Sequence, residues 1–264
     1  MLVDAFAYGL FFKCMSANVA SKFRLSFIAQ HKYNAEFNHM SENSEKKVVI
    51  GRANAEIVEK KSRFIAHVVE VHSEEEALSV LEDIKKKHWD ARHNCSAYVI
   101  GENNELQRFS DDKEPQGTAG KPILEVLLAN NVRNTIIVVT LYFGGILLGT
   151  GGLVRAYSTA ASEGLKAACV CPVIKAYNAK ISCDYNSSGK VKYIIEQLAK
   201  ETGNVCINDT EYGVSVVFDI ICELSLFDTL SKKITEATNA KAAIDVAGEI
   251  SVAASDDGFV EYDF

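Results

Sequence analysis

Apolar positions along the 264-residue chain switch repeatedly between a two-residue and a 3.6-residue period, which predicts strands alternating with helices. The segment KSRFIAHVVEV, Lys61 to Val71, alternates as a strand. HSEEEALSVLEDIKKKH then takes helical spacing, with Ala77, Leu78, Leu81 and Ile84 as its buried stripe. Ser73 and Glu76 form a capping box, and Lys85, Lys86 and Lys87 fall in the last turn, where cations offset the negative end of the helix dipole. A strand through Asn94 to Ile100 follows, then a polar turn at Glu102 to Asn104 and a second polar stretch from Arg108 to Gly120. A short helix is predicted from about Lys121 to Asn130, with Pro122 in its first turn, where a missing amide proton loses no helical hydrogen bond. Thr135 to Phe143 is a continuous β-branched and aromatic run, predicted as a strand buried on both faces, and a long helix runs from about Gly152 to Val170.

The remainder predicts a strand over Tyr177 to Asp184 and a helix with Val191, Ile194, Ile195 and Leu198 on one face. Strands at Asn204 to Asp209 and Val214 to Cys222 flank a turn containing Gly213. A helix carrying Phe227, Leu230 and Ile234 and a last strand near Ala242 to Ala253 complete the order βαββαβ, the ferredoxin-like split repeat. The expected fold class is α+β, with a domain over 45–175, a ferredoxin-like domain over 176–264 and an atypical extension over 1–44.

Composition narrows the function classes. With 48% hydrophobic and 24% charged residues and three prolines, the chain is neither disordered nor collagen-like. Its apolar stretches fall short of the roughly 18–20 residues that span a bilayer, so no membrane crossing is expected. Seven cysteines without a C-x-x-C pair, and no convincing secretory segment, point to reduced thiols and a cytoplasmic location. The net charge of −7 is uneven: residues 1–175 carry 21 basic and 20 acidic side chains, residues 176–264 carry 7 and 15. Contact with phosphate is therefore expected on the first part, because a net-negative surface must be locally inverted before it binds a polyanion.

Two loops carry the candidate chemistry. Arg108 to Lys121 (RFSDDKEPQGTAGK), which includes Thr118, ends at a predicted helix N-terminus, where free amides and Lys121 offer an anion site. Tyr142 to Arg155 (YFGGILLGTGGLVR) joins a buried strand to a helix through Gly144, Gly145, Gly149, Gly151 and Gly152, allowing close backbone approach and a second set of free amides, with Arg155 one turn inside. Neither has phosphate-loop or dinucleotide-fold spacing, and the glycines can equally serve a tight turn that packs two elements. Asp111, Asp112 and Glu114 could form a polar site with His93, although carboxylates in a turn more often act as caps or stay solvated. No metal and no cofactor is expected. His93 and Cys95 share a strand face, Cys169 and Cys171 read as small packing residues, and Trp89, Asp90 and Asn94 have no role assignable from spacing.

The segments KSRFIAH (61–67), DARHNCSAYVIG (90–101), RFSDDKEPQGTAGKPIL (108–124) and VVTLYFGGILLGTGGLVRAY (138–157) together resemble the YigZ/IMPACT family over about residues 45–264. The family usually has Arg at position 141, Gly at 113 and Lys at 147, where this chain has Leu141, Lys113 and Leu147. Two family cations are thus absent beside the glycine loop, and Lys113 supplies one nearby. The resemblance implies a two-layer α/β N-terminal domain similar to domain IV of elongation factor G, followed by the ferredoxin-like domain in the bacterial arrangement. Eukaryotic relatives restrain the amino-acid-starvation kinase by competing for its ribosome-bound activator.

The leading expectation is a cytoplasmic, non-enzymatic regulator of translation in the stress response. It would meet ribosome or RNA, or a protein partner of the translation machinery, through Lys61 and Arg63, Arg108 to Lys121 and Gly144 to Arg155. The chief rival is an enzyme acting on a small phosphorylated or nucleotide-like ligand through His93, Asp111, Asp112, Glu114 and Arg155. A third reading is an interaction module whose acidic C-terminal part meets a basic partner. Residues 1–39 hold eight of the 24 aromatic side chains, and the composition breaks near Met40, which is therefore the expected natural start. Mass spectrometry of the endogenous N-terminus should then find no peptide from residues 1–39.

Overall fold

The computed structural model describes residues 45–255 and 258–264, so the expectations for residues 1–44, the start at Met40 included, lie outside the described residues. Two sheets organise the chain. The first is built from β2 (Arg52–Glu59), β3 (Ser62–Glu70), β4 (His93–Ile100), β5 (Leu106–Ser110) and β7 (Thr135–Tyr142), in the order β2-β3-β7-β4-β5. Every neighbouring pair is antiparallel. β7 lies at the centre and, as its β-branched run predicts, is buried along almost its whole length.

Its alternating side chains face two different cores. Ile137, Val139 and Leu141 pack with Phe64, Ala66, Val68, Cys95 and Ala97 beneath α2 (Gly120–Ala129) and α3 (Thr150–Ala167), which contribute Ile123, Leu127, Tyr157 and Ala160. Ile136 and Val138 face the other way and pack with Tyr98, Ile100 and Val69 against Ala77 and Leu81 of α1 (Glu74–Lys87). The expected two-layer arrangement is corrected here to three layers, because the central strands are apolar on both sides and α1 covers the second one. Ser73 caps α1 as expected, accepting from the Glu76 amide at 3.2 Å. The Glu76 carboxylate reaches back one residue further than a capping box requires, to the His72 amide at 2.8 Å.

The second sheet hangs on β8 (Cys169–Cys183), a 15-residue strand. Periodicity places a helix to Val170 and begins the strand at Tyr177; in fact α3 stops at Ala167, and the strand runs unbroken through Pro172. β11 (Ala243–Ser255) lines one edge of β8. The other edge takes first β1 (Lys47–Ile50) and then β10 (Val216–Glu223). β6 (Val132–Arg133) extends this sheet beyond β1, and β12 (Gly258–Glu261) extends it beyond β11. With β9 (Val205–Tyr212) outside β10, the order β11-β8-β10-β9 is antiparallel throughout, as the split βαββαβ repeat demands. Its helices, α4 (Tyr185–Thr202) and α5 (Leu224–Thr238), bury Val191, Ile195, Leu198, Leu230 and Ile234 on one face. Periodicity also leaves β2 unassigned, and β5 is a further departure from it. It occupies the start of the stretch read as polar, and as an edge strand with four of its five residues exposed it leaves no apolar alternation to detect.

Among the described residues no helix is long and apolar enough to cross a membrane. Cys95, Cys183, Cys206 and Cys222 are free thiols.

One buried polar group sits where α1 ends. His67 is 7% exposed, its Nδ1 lies 2.6 Å from Asn54 Oδ1, and its ring centroid is 5.0 Å from that of His88. Burial, helped by His88 and Lys87, pulls its pKa down from 6.5 to about 4. The unfolded chain takes up this proton near pH 6.5 and the folded chain does not until about pH 4. Stability should therefore fall as the pH drops through that window, by about 3 kcal/mol for this one group. Urea unfolding at pH 7.5 and 4.5 checks this, and the drop should shrink in His67→Gln.

Candidate functional site

Antiparallel pairing decides where the loops go. Glu59, Ser62, Tyr142, His93 and Ser110 all lie at one end of the five-stranded sheet. The Lys60-Lys61 hairpin tip, the bend over residues 88–92, the loop over 111–119 and the glycine loop over 143–149 therefore leave the sheet together. The N-termini of α2 and α3 open at this same end. The two loops singled out from sequence thus converge.

Much of their polar chemistry is engaged internally. The Asp111 carboxylate accepts from the amides of Gly117 at 2.8 Å, Ala119 at 3.1 Å and Gly120 at 2.8 Å, so the chain's own carboxylate fills the α2 N-terminus that the sequence offered to an anion. Lys121 is exposed, with its Nζ 4.0 Å from Glu125 of the same helix, and the buried Thr118 hydroxyl donates to the Pro115 carbonyl. Asp112 accepts from the Asn94 amide at 2.7 Å, and its own carbonyl lies 2.7 Å from His93 Nδ1. Glu114, almost buried, accepts from the Tyr157 hydroxyl at 3.0 Å and faces His93 Nε2 at 3.8 Å. The Cys95 thiol donates to the Asp111 carbonyl and to Tyr157. Burial pushes that thiol well up, which holds it protonated and blunts it as a nucleophile. Together His93, Cys95, Asp111, Asp112 and Glu114 pin the 111–119 loop to β4 and α3. Among the described residues no group of three or more His, Cys, Asp or Glu side chains is placed to hold a metal ion.

The glycine loop is shaped by close approach. A Cβ on Gly144 would fall 2.1 Å from the Lys61 carbonyl, and the Gly144 amide donates to Ser62 Oγ at 3.0 Å, so the loop lies directly on the hairpin tip. Gly149, at φ +74°, starts α3 with no side-chain cap, and Gly151 and Gly152 form the first turn. Gly145 lies on the exposed part of the loop and Arg155 on the exposed side of α3. The two positions where the related family carries cations differ sharply: Leu141 is 3% exposed in the core and Leu147 is 83% exposed at the loop tip.

The cations form a second pattern. Lys60, Lys61, Arg92, Arg108, Lys113 and Arg155 are exposed and enter no ion pair among the described residues. Arg108 donates to the neighbouring Gln107 carbonyl on edge strand β5. Arg63 is engaged differently, bonded through Nε and one terminal nitrogen to Glu56, with its guanidinium carbon 5.5 Å from the centroid of the Tyr142 ring. Three of the lysines sit in left-handed backbone: Lys60 at φ 47°, Lys61 at φ 66° and Lys113 at φ 73°. Four of the other six non-glycine residues with positive φ are asparagines, which tolerate that region, whereas lysine does not.

Sequence reasoning missed Lys60, Arg92, Trp89 and Phe143. Lys60-Lys61 carries no turn signal of its own, since a type I′ two-residue loop, with positive φ at both positions, is ordinarily marked by Asn-Gly or Asp-Gly. Trp89 is 83% exposed and Phe143 47%, and only the fold shows that.

The chain matches the family model described as the Impact N-terminal domain over residues 60–165 and a domain of unknown function, DUF1949, over residues 181–241. It is 43% identical over 189 residues to IMPACT family member YvyE of Bacillus subtilis, covering 72% of this chain and 85% of that protein. To IMPACT family member YigZ of Escherichia coli it is 47% identical over 109 residues, 40% of this chain and 53% of the relative. Protein IMPACT of Oryctolagus cuniculus is 38% identical over 97 residues, 35% of this chain and 30% of the relative.

Removing the Asp111 carboxylate should uncap α2 and release the loop. Asp111→Ala is expected to lower stability by about 2 kcal/mol, while Lys121→Ala changes it by less than about 0.5 kcal/mol, as urea denaturation will show.

Proposed function

The chain belongs to the IMPACT family, and from that premise we propose that it is a cytoplasmic, non-enzymatic regulator of translation that associates with the ribosome or its RNA through the loop end of the five-stranded sheet. In this reading residues 45–175 form the contact domain, similar to domain IV of elongation factor G, and residues 176–264 hold it as a rigid, acidic ferredoxin-like support. The family's eukaryotic members bear on translation, which is what directs the proposal to that machinery.

The observation that carries it is the strain at the lysines. Left-handed backbone costs a lysine roughly 1 kcal/mol or more where glycine would pass freely. Three such residues, all unpaired, occur at the same end of one sheet. The Asp111, Asp112 and Glu114 carboxylates turn onto amides and the Tyr157 hydroxyl, which leaves the exposed cations Lys60, Lys61, Arg92, Arg108, Lys113 and Arg155 against the exposed Glu59 and Asp90 at this end. The surface is therefore locally cationic on a chain whose net charge is −7. Arg92, Arg108 and Arg155 extend the same charge to the flanks, and the uncapped N-terminus of α3 adds amides that favour phosphate. The small-ligand enzyme reading is less well supported, since its carboxylates and its histidine order a loop.

The expected outcome is co-sedimentation with ribosomes in low salt that weakens steeply as salt is raised. The double variant Lys60→Ala/Lys61→Ala should lower the slope of log affinity against log salt by about 1.5, because each phosphate that a lysine neutralises adds roughly 0.7 to that slope for a single strand and roughly 0.9 for a duplex. A protein that stays at the top of the gradient at both salt concentrations overturns the proposal.

A further inference from the structure

We propose that Trp89 and Phe143 form a stacking platform for unpaired bases, so that this surface takes single-stranded RNA in preference to duplex; the inference rests on the RNA-contact reading above and names its ligand class. Trp89 is the only tryptophan of the chain, and it is 83% exposed. A ring of that size in water forfeits a large apolar burial, and the exposure is held in place. The residues on either side of it, His88 and Asp90, both bond the Tyr142 hydroxyl, at 3.0 and 3.1 Å. The Ala91 amide closes the bend onto the His88 carbonyl at 3.0 Å, and the Arg92 amide donates to the Leu141 carbonyl at 2.8 Å. The bend is thus fastened at both ends to the last two residues of β7, and Trp89 projects from it.

Phe143 follows directly on that anchor. It lines, with Asp90, Ala91, Arg92 and Tyr142, an open depression of about 510 Å³. The Tyr142 ring already has the Arg63 guanidinium beside it, whereas Trp89 and Phe143 have no ring or cation partner among the described residues. Arg92 lies within this surface, and Lys60 and Lys61 lie across the adjacent Gly144 contact. Exposed rings set among unpaired cations suit a chain that alternates flat apolar faces with phosphates. Paired bases hide those faces inside the stack, and the grooves of duplex RNA offer only edges, hydroxyls and phosphates. Protein interfaces also favour Trp, Phe and Arg but are depleted in lysine, so the unpaired Lys60 and Lys61 beside these rings favour a polyanion.

Because Trp89 is the chain's single tryptophan, it reports its own contact. The full chain should be titrated in low salt with a 12-nucleotide oligouridine and with a 12-base-pair RNA duplex, while tryptophan fluorescence is followed. Saturable quenching by the single strand and little by the duplex is expected. By anisotropy of labelled oligouridine, Trp89→Leu should bind about tenfold or more weakly, Trp89→Phe should recover most of the affinity, and the duplex affinity should hardly change. Urea unfolding of the variants excludes loss of fold. Salt-sensitive single-strand binding with unquenched Trp89, and with Trp89→Leu unimpaired, would overturn the stacking platform and leave the RNA-contact reading intact. Absence of binding to either RNA and to ribosomes overturns both. If Trp89→Leu abolishes ribosome association but leaves oligouridine affinity unchanged, a protein occupies this face and the platform is again overturned.

Discussion

The burial of β7 on both faces is the constraint from which the site follows. A strand with Ile137, Val139 and Leu141 on one side and Ile136 and Val138 on the other must sit at the centre of its sheet and be covered twice. Antiparallel neighbours then pair along both edges, and their ends register at Tyr142, Ser62 and His93. Loops separated by dozens of residues emerge side by side because strand direction alternates across this one element.

Convergence places the carboxylates of one loop beside helix N-termini, and here their roles divide. Asp111 turns inward and satisfies three amides at the start of α2, an internal substitute for an external anion. Among the described residues no carboxylate bonds the first amides of α3, which starts at Gly149 without a side-chain cap. Two helix ends with the same dipole thus differ in availability, and the difference lies in one side chain brought in from a neighbouring loop. The same economy holds for Glu114 and Asp112, whose hydrogen bonds to Tyr157 and to the Asn94 amide leave the loop's negative charge facing the interior. What remains outward is mainly basic, with Glu59 and Asp90 also exposed.

Strain and exposure mark the outward face. Lysines in left-handed backbone and a tryptophan in water each lower stability, and in this chain they lie at one sheet end, which is otherwise well packed beneath. Several locally unfavourable features kept in one place are the pattern expected of a surface held for something besides stability. The contrast between Leu141 and Leu147 shows the same separation within seven residues of one segment, one leucine in the core and the other almost wholly solvated.

Periodicity alone determined most of the elements: the capped helix after Ser73, the central buried run from Thr135, the helix opened by Pro122 and the split βαββαβ repeat were legible because each is governed by neighbours within a few residues. The glycine loop and the 111–119 loop were also legible as segments, from residue types that only turns and caps require. The third layer, the single strand running through Pro172 from Cys169 to Cys183, and the edge strand β5 were decided by pairing partners far away in the chain, which leave no local period. The roles within the site were decided in the same way. By residue type and spacing alone, Asp111 could be a cap, a solvated group or part of a polar site, and Trp89 has no assignable role. Tertiary structure decides that Asp111 is a cap and that Trp89 is exposed, because what the fold packs against a charge or a ring is not local to the residue.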